Sequence, residues 1–204
     1  MIFFRLILLV LGLLALMSGF GCGQDDATTT SSRTIHVSSG GRIKTLDPAL
    51  ASDLASRDMV AAFYDRLLQY DYSLRPYKLI PSMLESMPEI SKNGKVYTFK
   101  LRDDLYFRDD RCFLKKDKAM RRVTSRDVEF SFLRIADGRL FSPVFWMFRG
   151  KIKGINAFRS ATLKSTDNSL YKKGITGLEI VDEYTFKINF TLFWPVNQYN
   201  VQRE

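Results

Sequence analysis

Leu178-Glu179-Ile180-Val181-Asp182-Glu183-Tyr184-Thr185-Phe186-Lys187-Ile188-Asn189-Phe190 is the stretch on which the fold turns. Tyr184, Phe186, Ile188 and Phe190 alternate with Thr185, Lys187 and Asn189, the period of a strand with one buried face. Asp182-Glu183 divides it from Leu178–Val181, so the segment reads as a hairpin. A second stretch shows the same alternation. Asn93-Gly94 signals a tight turn, and in Lys95–Arg102 the side chains of Tyr97, Phe99 and Leu101 share one face.

Between these strands the spacing changes to that of helices. Thr124-Ser125-Arg126-Asp127 has capping-box spacing, and Val128, Phe132 and Ile135 give the following helix an apolar stripe. Phe145, Trp146 and Phe148 form an aromatic cluster after it. Upstream, Ser56 to Leu68 also shows helical spacing, with Met59, Val60, Phe63 and Leu67 on one face and Tyr64 and Leu68 at its edge. Before it, Asp47 is placed as an N-cap with Pro48 at the first helical position. A first strand is expected at Thr34–Val37, followed by a loop over Ser38–Arg42. The pattern is α/β in the mixed α+β sense, with no internal repeat.

The N-terminus addresses the chain. Arg5 precedes an apolar run from Leu6 to Met17, then Ser18, Gly19, Phe20, Gly21 and Cys22. The run is too short to span a bilayer but has the length of an export-signal core. A cysteine directly after glycine at its end points to a lipoprotein signal over residues 1–21, with Cys22 the lipidated residue. Gly19 and Phe20 depart from the Leu and small residue usual in such signals. Ordinary cleaved export and a retained N-terminal anchor are the other outcomes the segment allows. Residues 22–33, rich in Thr and Ser, read as a flexible tether. This places the protein in the cell envelope, outside the cytoplasm.

Composition is that of a globular domain, 46% hydrophobic and 26% charged. Net charge is +9, and since Arg5 is the only charged residue before Cys22, the part from Cys22 onward carries +8. For an exported chain that balance means a solvated basic surface, or contact with anionic lipid or wall polymer, and not nucleic acid. One histidine, His36, and two cysteines leave no zinc site. With Cys22 acylated, Cys112 is a lone thiol, expected to be a partly buried small residue. Asp103-Asp104 and Asp109-Asp110 lie beside Arg102, Arg108 and Arg111 and read as turns and salt bridges rather than a carboxylate pair for catalysis. Lys115, Lys116, Lys118, Arg121 and Arg122 read as a solvated basic loop. No G-x-S-x-G elbow, P-loop or G-x-G-x-x-G occurs. The chain reads as a non-enzyme without cofactors.

The order of pieces carries more than any single one. Leu46-Asp47-Pro48 is followed by Phe63-Tyr64-Asp65-Arg66-Leu67-Leu68, Pro81-Ser82-Met83-Leu84-Glu85, Tyr97-Thr98-Phe99-Lys100-Leu101-Arg102, Val123-Thr124-Ser125-Arg126-Asp127-Val128 and Gly177 to Phe190. This resembles the extracellular solute-binding proteins of family 5, the substrate-binding lipoproteins of peptide, oligopeptide and nickel ABC importers, over roughly Thr34 to Pro195. Arg108 and Asp110 stand where the family usually has His and Gly, and Arg111 to Arg122 is longer than its usual turn.

The resemblance implies a partial periplasmic-binding-protein type II-like architecture. Residues 34–204 would supply first-lobe strands and a small accessory subdomain over about 55–175, with the second lobe missing, as in an incomplete member. It implies capture of a peptide or small solute, docking on ABC permease subunits, a membrane tether through the N-terminal lipid, and a monomer. Ser52, Asp53 and Leu54 are the expected ligand-lining loop, against the alternative that they are simply a helix N-terminus. Trp146 is the next candidate, against the alternative of core packing. The rival from another class is a stand-alone surface lipoprotein that binds a protein or envelope polymer through its basic face.

Overall fold

Five residues of the Tyr184–Phe190 segment build the strand at the centre of the structure. The computed structural model describes residue 36 and residues 40–113 and 118–192. Strands β1 (Leu68–Asp71) and β2 (Lys78–Pro81) pair antiparallel as a separate ribbon. Strands β3 (Glu89–Ile90), β4 (Val96–Lys100), β5 (Leu178–Ile180) and β6 (Thr185–Asn189) form a four-stranded antiparallel sheet in the order β3-β4-β6-β5. Among the described residues the α-helices are α1 (Leu54–Phe63), α2 (Ser125–Ala136), α3 (Ile155–Lys164) and the short α4 (Ser169–Lys173).

Register follows the alternation. Tyr97 lies opposite Ile188 and Phe99 opposite Phe186, so the apolar faces of both strands coincide. All four side chains are buried, and the Phe99 and Phe186 rings stack with centroids 4.9 Å apart. Against that face pack Val128, Leu133 and Ala136 of α2 and Ile155 and Phe158 of α3, which with Leu84, Phe145, Ile152 and Ile175 make the core. The turn between β5 and β6 is held by Asp182, whose carboxylate accepts the N–H groups of Tyr184 and Thr185. Gly94, at φ 66°, makes the turn before β4. Gly177 is required for another reason. A Cβ there would meet backbone atoms of Lys153 and Asn189 at 2.6–2.9 Å.

Helix α2 begins as its capping box requires, the Asp127 carboxylate accepting the N–H of Thr124 at 2.7 Å and its hydroxyl at 2.9 Å. Helix α1 departs from expectation. It starts at Leu54, not Ser56, and stops at Phe63, with Tyr64 already extended. The backbone beyond is taken by β pairing: the carbonyls of Arg66 and Leu67 accept from Met83 and Ser82, and Leu68 opens β1. Those long-range bonds override a helical pattern that runs on to Leu68. Phe63 is left 69% exposed.

Two smaller expectations are also corrected. Cys112 is exposed rather than partly buried, because Asp109 to Arg111 around it lie on the surface. Of the basic run, Lys118, Arg121 and Arg122 do not simply point into water. Arg122 donates to the hydroxyls of Tyr184 (2.6 Å) and Tyr106 (3.1 Å), Arg121 donates to the Phe107 carbonyl, and Lys118 sits over the Tyr106 ring. The expected strand Thr34–Val37, the signal, Cys22 and the tether lie outside the described residues, His36 excepted.

Candidate functional site

The Leu46-Asp47-Pro48 turn is where the sequence motif and the structure meet. Its backbone closes on itself, the Asp47 carbonyl accepting the N–H groups of Leu50 and Ala51, both at 3.0 Å. The Asp47 carboxylate accepts the Ala49 N–H at 3.0 Å and takes two bonds from Arg134 on α2, at 2.6 and 3.1 Å. Burial pulls this carboxyl upward, but the Arg134 and Ala49 hydrogen bonds outweigh it and hold the group below its ordinary value. Asp47 thus caps its own turn and ties it to α2. The helix proper is capped by Asp53, which accepts the Ser56 N–H at 3.0 Å, and this bond lowers its carboxyl. Buried Ser56 in turn accepts the N–H groups of Lys44 and Thr45 on its hydroxyl.

Ser52, Asp53 and Leu54 therefore sit at a helix N-terminus, with Asp53 engaged as its cap. Ser52 and Leu54 face water, Leu54 at 67% exposure. Trp146 lies in a 3-10 turn (Phe145–Met147), where Phe145 enters the core and Trp146 stands 68% exposed. Core packing is thus not what Trp146 does. The two candidate elements are brought together by one bond: the buried Ser142 hydroxyl donates to the Ala49 carbonyl at 2.6 Å. It joins the segment leading to Trp146 with the turn leading to Ser52.

A second feature leaves almost no mark in the sequence. A groove of about 1190 Å³ is lined by Asp47, Phe63, Tyr106, Phe107, Phe130 and Arg134, among others. None of Ser52, Asp53, Leu54 and Trp146 lines it. Phe130 was its one legible sign, an aromatic residue on α2 outside the stripe of Val128, Phe132 and Ile135. Among the described residues, no three His, Cys, Asp or Glu side chains gather as a metal site would need. The Arg102–Asp104 pair is bidentate at 2.9 Å, as the salt-bridge reading of that run expects.

The antiparallel sheet backed by helices and joined to the LDP turn is shared with solved periplasmic-binding-protein type II-like proteins, of which this chain covers a part. The match to known proteins is then specific. Residues 78–195 match the family described as "Bacterial extracellular solute-binding proteins, family 5 Middle", and the chain belongs to that family. It is 35% identical over 142 residues to the peptide transport periplasmic protein SapA of Salmonella typhimurium, covering 64% of this chain and 24% of that protein. It is 27% identical over 192 residues to the oligopeptide-binding protein AliB of Streptococcus pneumoniae, covering 94% and 26%. Among solved structures it resembles the periplasmic oligopeptide-binding protein OppAIV of Borrelia burgdorferi, with a TM-score of 0.56 and 25% identity over 74% of this chain and 26% of that one. The peptide-bound OppA of Listeria monocytogenes superposes at a TM-score of 0.58 and 20% identity, over 75% and 26%. The chain spans about a quarter of the length of these relatives. No helix among the described residues is long and apolar enough to cross a membrane.

Proposed function

We propose that this chain takes part in peptide capture for an ABC importer, as the part of a solute-binding protein that corresponds to the matched quarter of its relatives. The observation that carries this reading is the family match over residues 78–195 together with relatives named for peptide transport and oligopeptide binding. Ligand capture would occur between lobes that close on each other, followed by docking on permease subunits, without covalent chemistry. Ser52, Asp53, Leu54 and Trp146 are the ligand-lining residues of this reading, Asp53 with its carboxylate already engaged on the Ser56 N–H. A large aromatic face left in water is what a cleft presents before a ligand covers it. The rival surface-lipoprotein reading would draw on basic residues other than Arg102, Arg122, Arg134 and Arg139, which are engaged with neighbours within the chain.

The test is to purify the native gene product from cell envelopes, record its intact mass, and identify small molecules released on denaturation. Co-purifying peptides are expected; their absence from product that also fails to bind a mixed peptide pool overturns the reading. Anchoring at Cys22 is tested separately. Cys22→Ser should move the protein from the membrane fraction to the soluble one, and unchanged association would assign the anchor to the apolar run or the basic surface.

A further inference from the structure

Two arginines beside Trp146 find no carboxylate among the described residues. The Phe145 ring, in the turn that carries Trp146, has the Arg159 guanidinium 4.2 Å from its centroid and the Arg149 guanidinium 5.9 Å from it. Backbone and side-chain bonds fix both residues. The Arg149 N–H donates to the Phe145 carbonyl at 3.0 Å. The next N–H, that of Gly150, donates at 3.0 Å to the carboxamide oxygen of Asn156, on α3 one turn before Arg159. Among the described residues neither guanidinium donates a hydrogen bond or forms an ion pair, whereas Arg102, Arg122, Arg134 and Arg139 all have partners. Arg159 goes further, because its Nη1 is buried and has no acceptor. Arg121, whose Nε is also unmatched, already donates to the Phe107 carbonyl.

A guanidinium partly stripped of water and left without an anion is a cost to the fold, and an arriving anion relieves it. The surrounding segment does not supply one. From Gly138 to Thr166 it holds six Lys or Arg and no Asp or Glu, and Asp137, just before it, is engaged with Arg139. An acid-free basic stretch of this kind draws anions toward itself. We infer that Arg149 and Arg159 form an anion subsite that takes a carboxylate of the bound ligand beside Trp146, so that the ligand class is acidic peptides. This inference rests on the peptide-capture reading. The planar guanidinium fork matches a carboxylate, and a charge-assisted bond outweighs a neutral one. A neutral peptide leaves both cations unbalanced.

The test titrates the native gene product with the tripeptides Ala-Glu-Ala and Ala-Gln-Ala, both amidated at the C-terminus, so that Glu carries the only carboxylate. The Glu peptide should bind about tenfold tighter at low salt, with the gap narrowing as salt rises. Arg149→Gln combined with Arg159→Gln should close the gap. Equal affinities in the parent overturn the inference. So does a gap that survives the double variant, or a double variant that weakens both peptides alike. A second arm needs no variant and no peptide. Phenylglyoxal modification of Arg149 and Arg159, mapped by mass spectrometry, should slow several-fold in glutarate and not in its diamide. Equal rates in the two overturn the subsite, as do arginines that resist the reagent with no anion added, because a carboxylate of the product itself then covers them. Product that binds neither tripeptide, nor any peptide of a mixed pool, overturns the peptide-capture reading instead, and the second arm still judges the subsite.

Discussion

Two acid–arginine pairs hold this protein together at different ranges, and they do different work. Asp137 and Arg139 are two residues apart at the end of α2. The Asp137 carboxylate is almost wholly buried and accepts from the Arg139 N–H and guanidinium and from the Tyr171 hydroxyl at 2.8 Å. Asp47 and Arg134 are 87 residues apart, and their side chains are 24% and 34% exposed. The first pair closes a joint inside the core; the second straps the LDP turn to a helix already built. Cutting the strap should cost less than breaking the joint.

The largest expected effect comes from breaking the joint. Asp137→Ala strands the Tyr171 hydroxyl and removes the cap of the 3-10 turn Gly138–Leu140. A loss of about 2 kcal/mol is expected by urea or thermal unfolding, the order of cost for unmaking a buried charged hydrogen-bond set. The same network sets a pH dependence. Burial raises the Asp137 carboxyl, but the Arg139 and Tyr171 hydrogen bonds dominate and lower it to about 2 from 3.8. A depressed folded value contributes stability above the unfolded value, so this share is present above about pH 4 and lost as pH falls toward 2. Tyr171, pushed up to about 12 by burial and then by Asp137, contributes below about pH 10 and loses its share as pH rises toward 12. Asp137→Ala should remove this share of the acid limb and lessen the alkaline one, on which burial of Tyr171 still acts; an acid limb as steep as the parent's would show that Asp137 is not what titrates there.

Cutting the strap is the intermediate case. Asp47→Ala should cost about 1 kcal/mol or less globally, because the pair is partly solvated. Its signature should be local. Amide exchange at Ala49, Leu50 and Ala51 should quicken, while Tyr97, Phe186 and Ile188 in the sheet keep their protection. Loss of sheet protection would mean that the turn is part of the core rather than fastened to it.

This contrast also explains what could be read from the chain alone. The β5–β6 hairpin, β4 and the α2 cap were legible, because alternation and capping spacing are local patterns in which every neighbour agrees. The end of α1 was not. Tyr64 to Leu68 keeps helical spacing, and only pairing to Lys78–Met83 pulls it straight. The LDP motif is visible, but its partner Arg134 lies in a helix whose spacing marks only the apolar stripe. The Ser142–Ala49 bond spans 93 residues and leaves no mark in either segment. Exposure at Trp146 was equally hidden: Phe145, Trp146 and Phe148 are one aromatic cluster in sequence, and only the 3-10 turn decides which of them faces outward.

Trp146 gives the smallest effect on stability and the sharpest separation of the two kinds of residue. It stands 68% exposed beside a segment that Ser142 fixes to the LDP turn, so truncating its ring removes little buried area. Trp146→Ala should shift unfolding by no more than about 0.5 kcal/mol, as for other surface positions. If Trp146 lines the ligand surface, the same change should weaken peptide binding by the native gene product about tenfold, the cost of losing one aromatic contact of about 1.4 kcal/mol. A variant that keeps both its stability and its peptide affinity would remove Trp146 from the ligand surface. One that loses stability instead would make it a structural residue, its exposed ring covered by some other part of the fold.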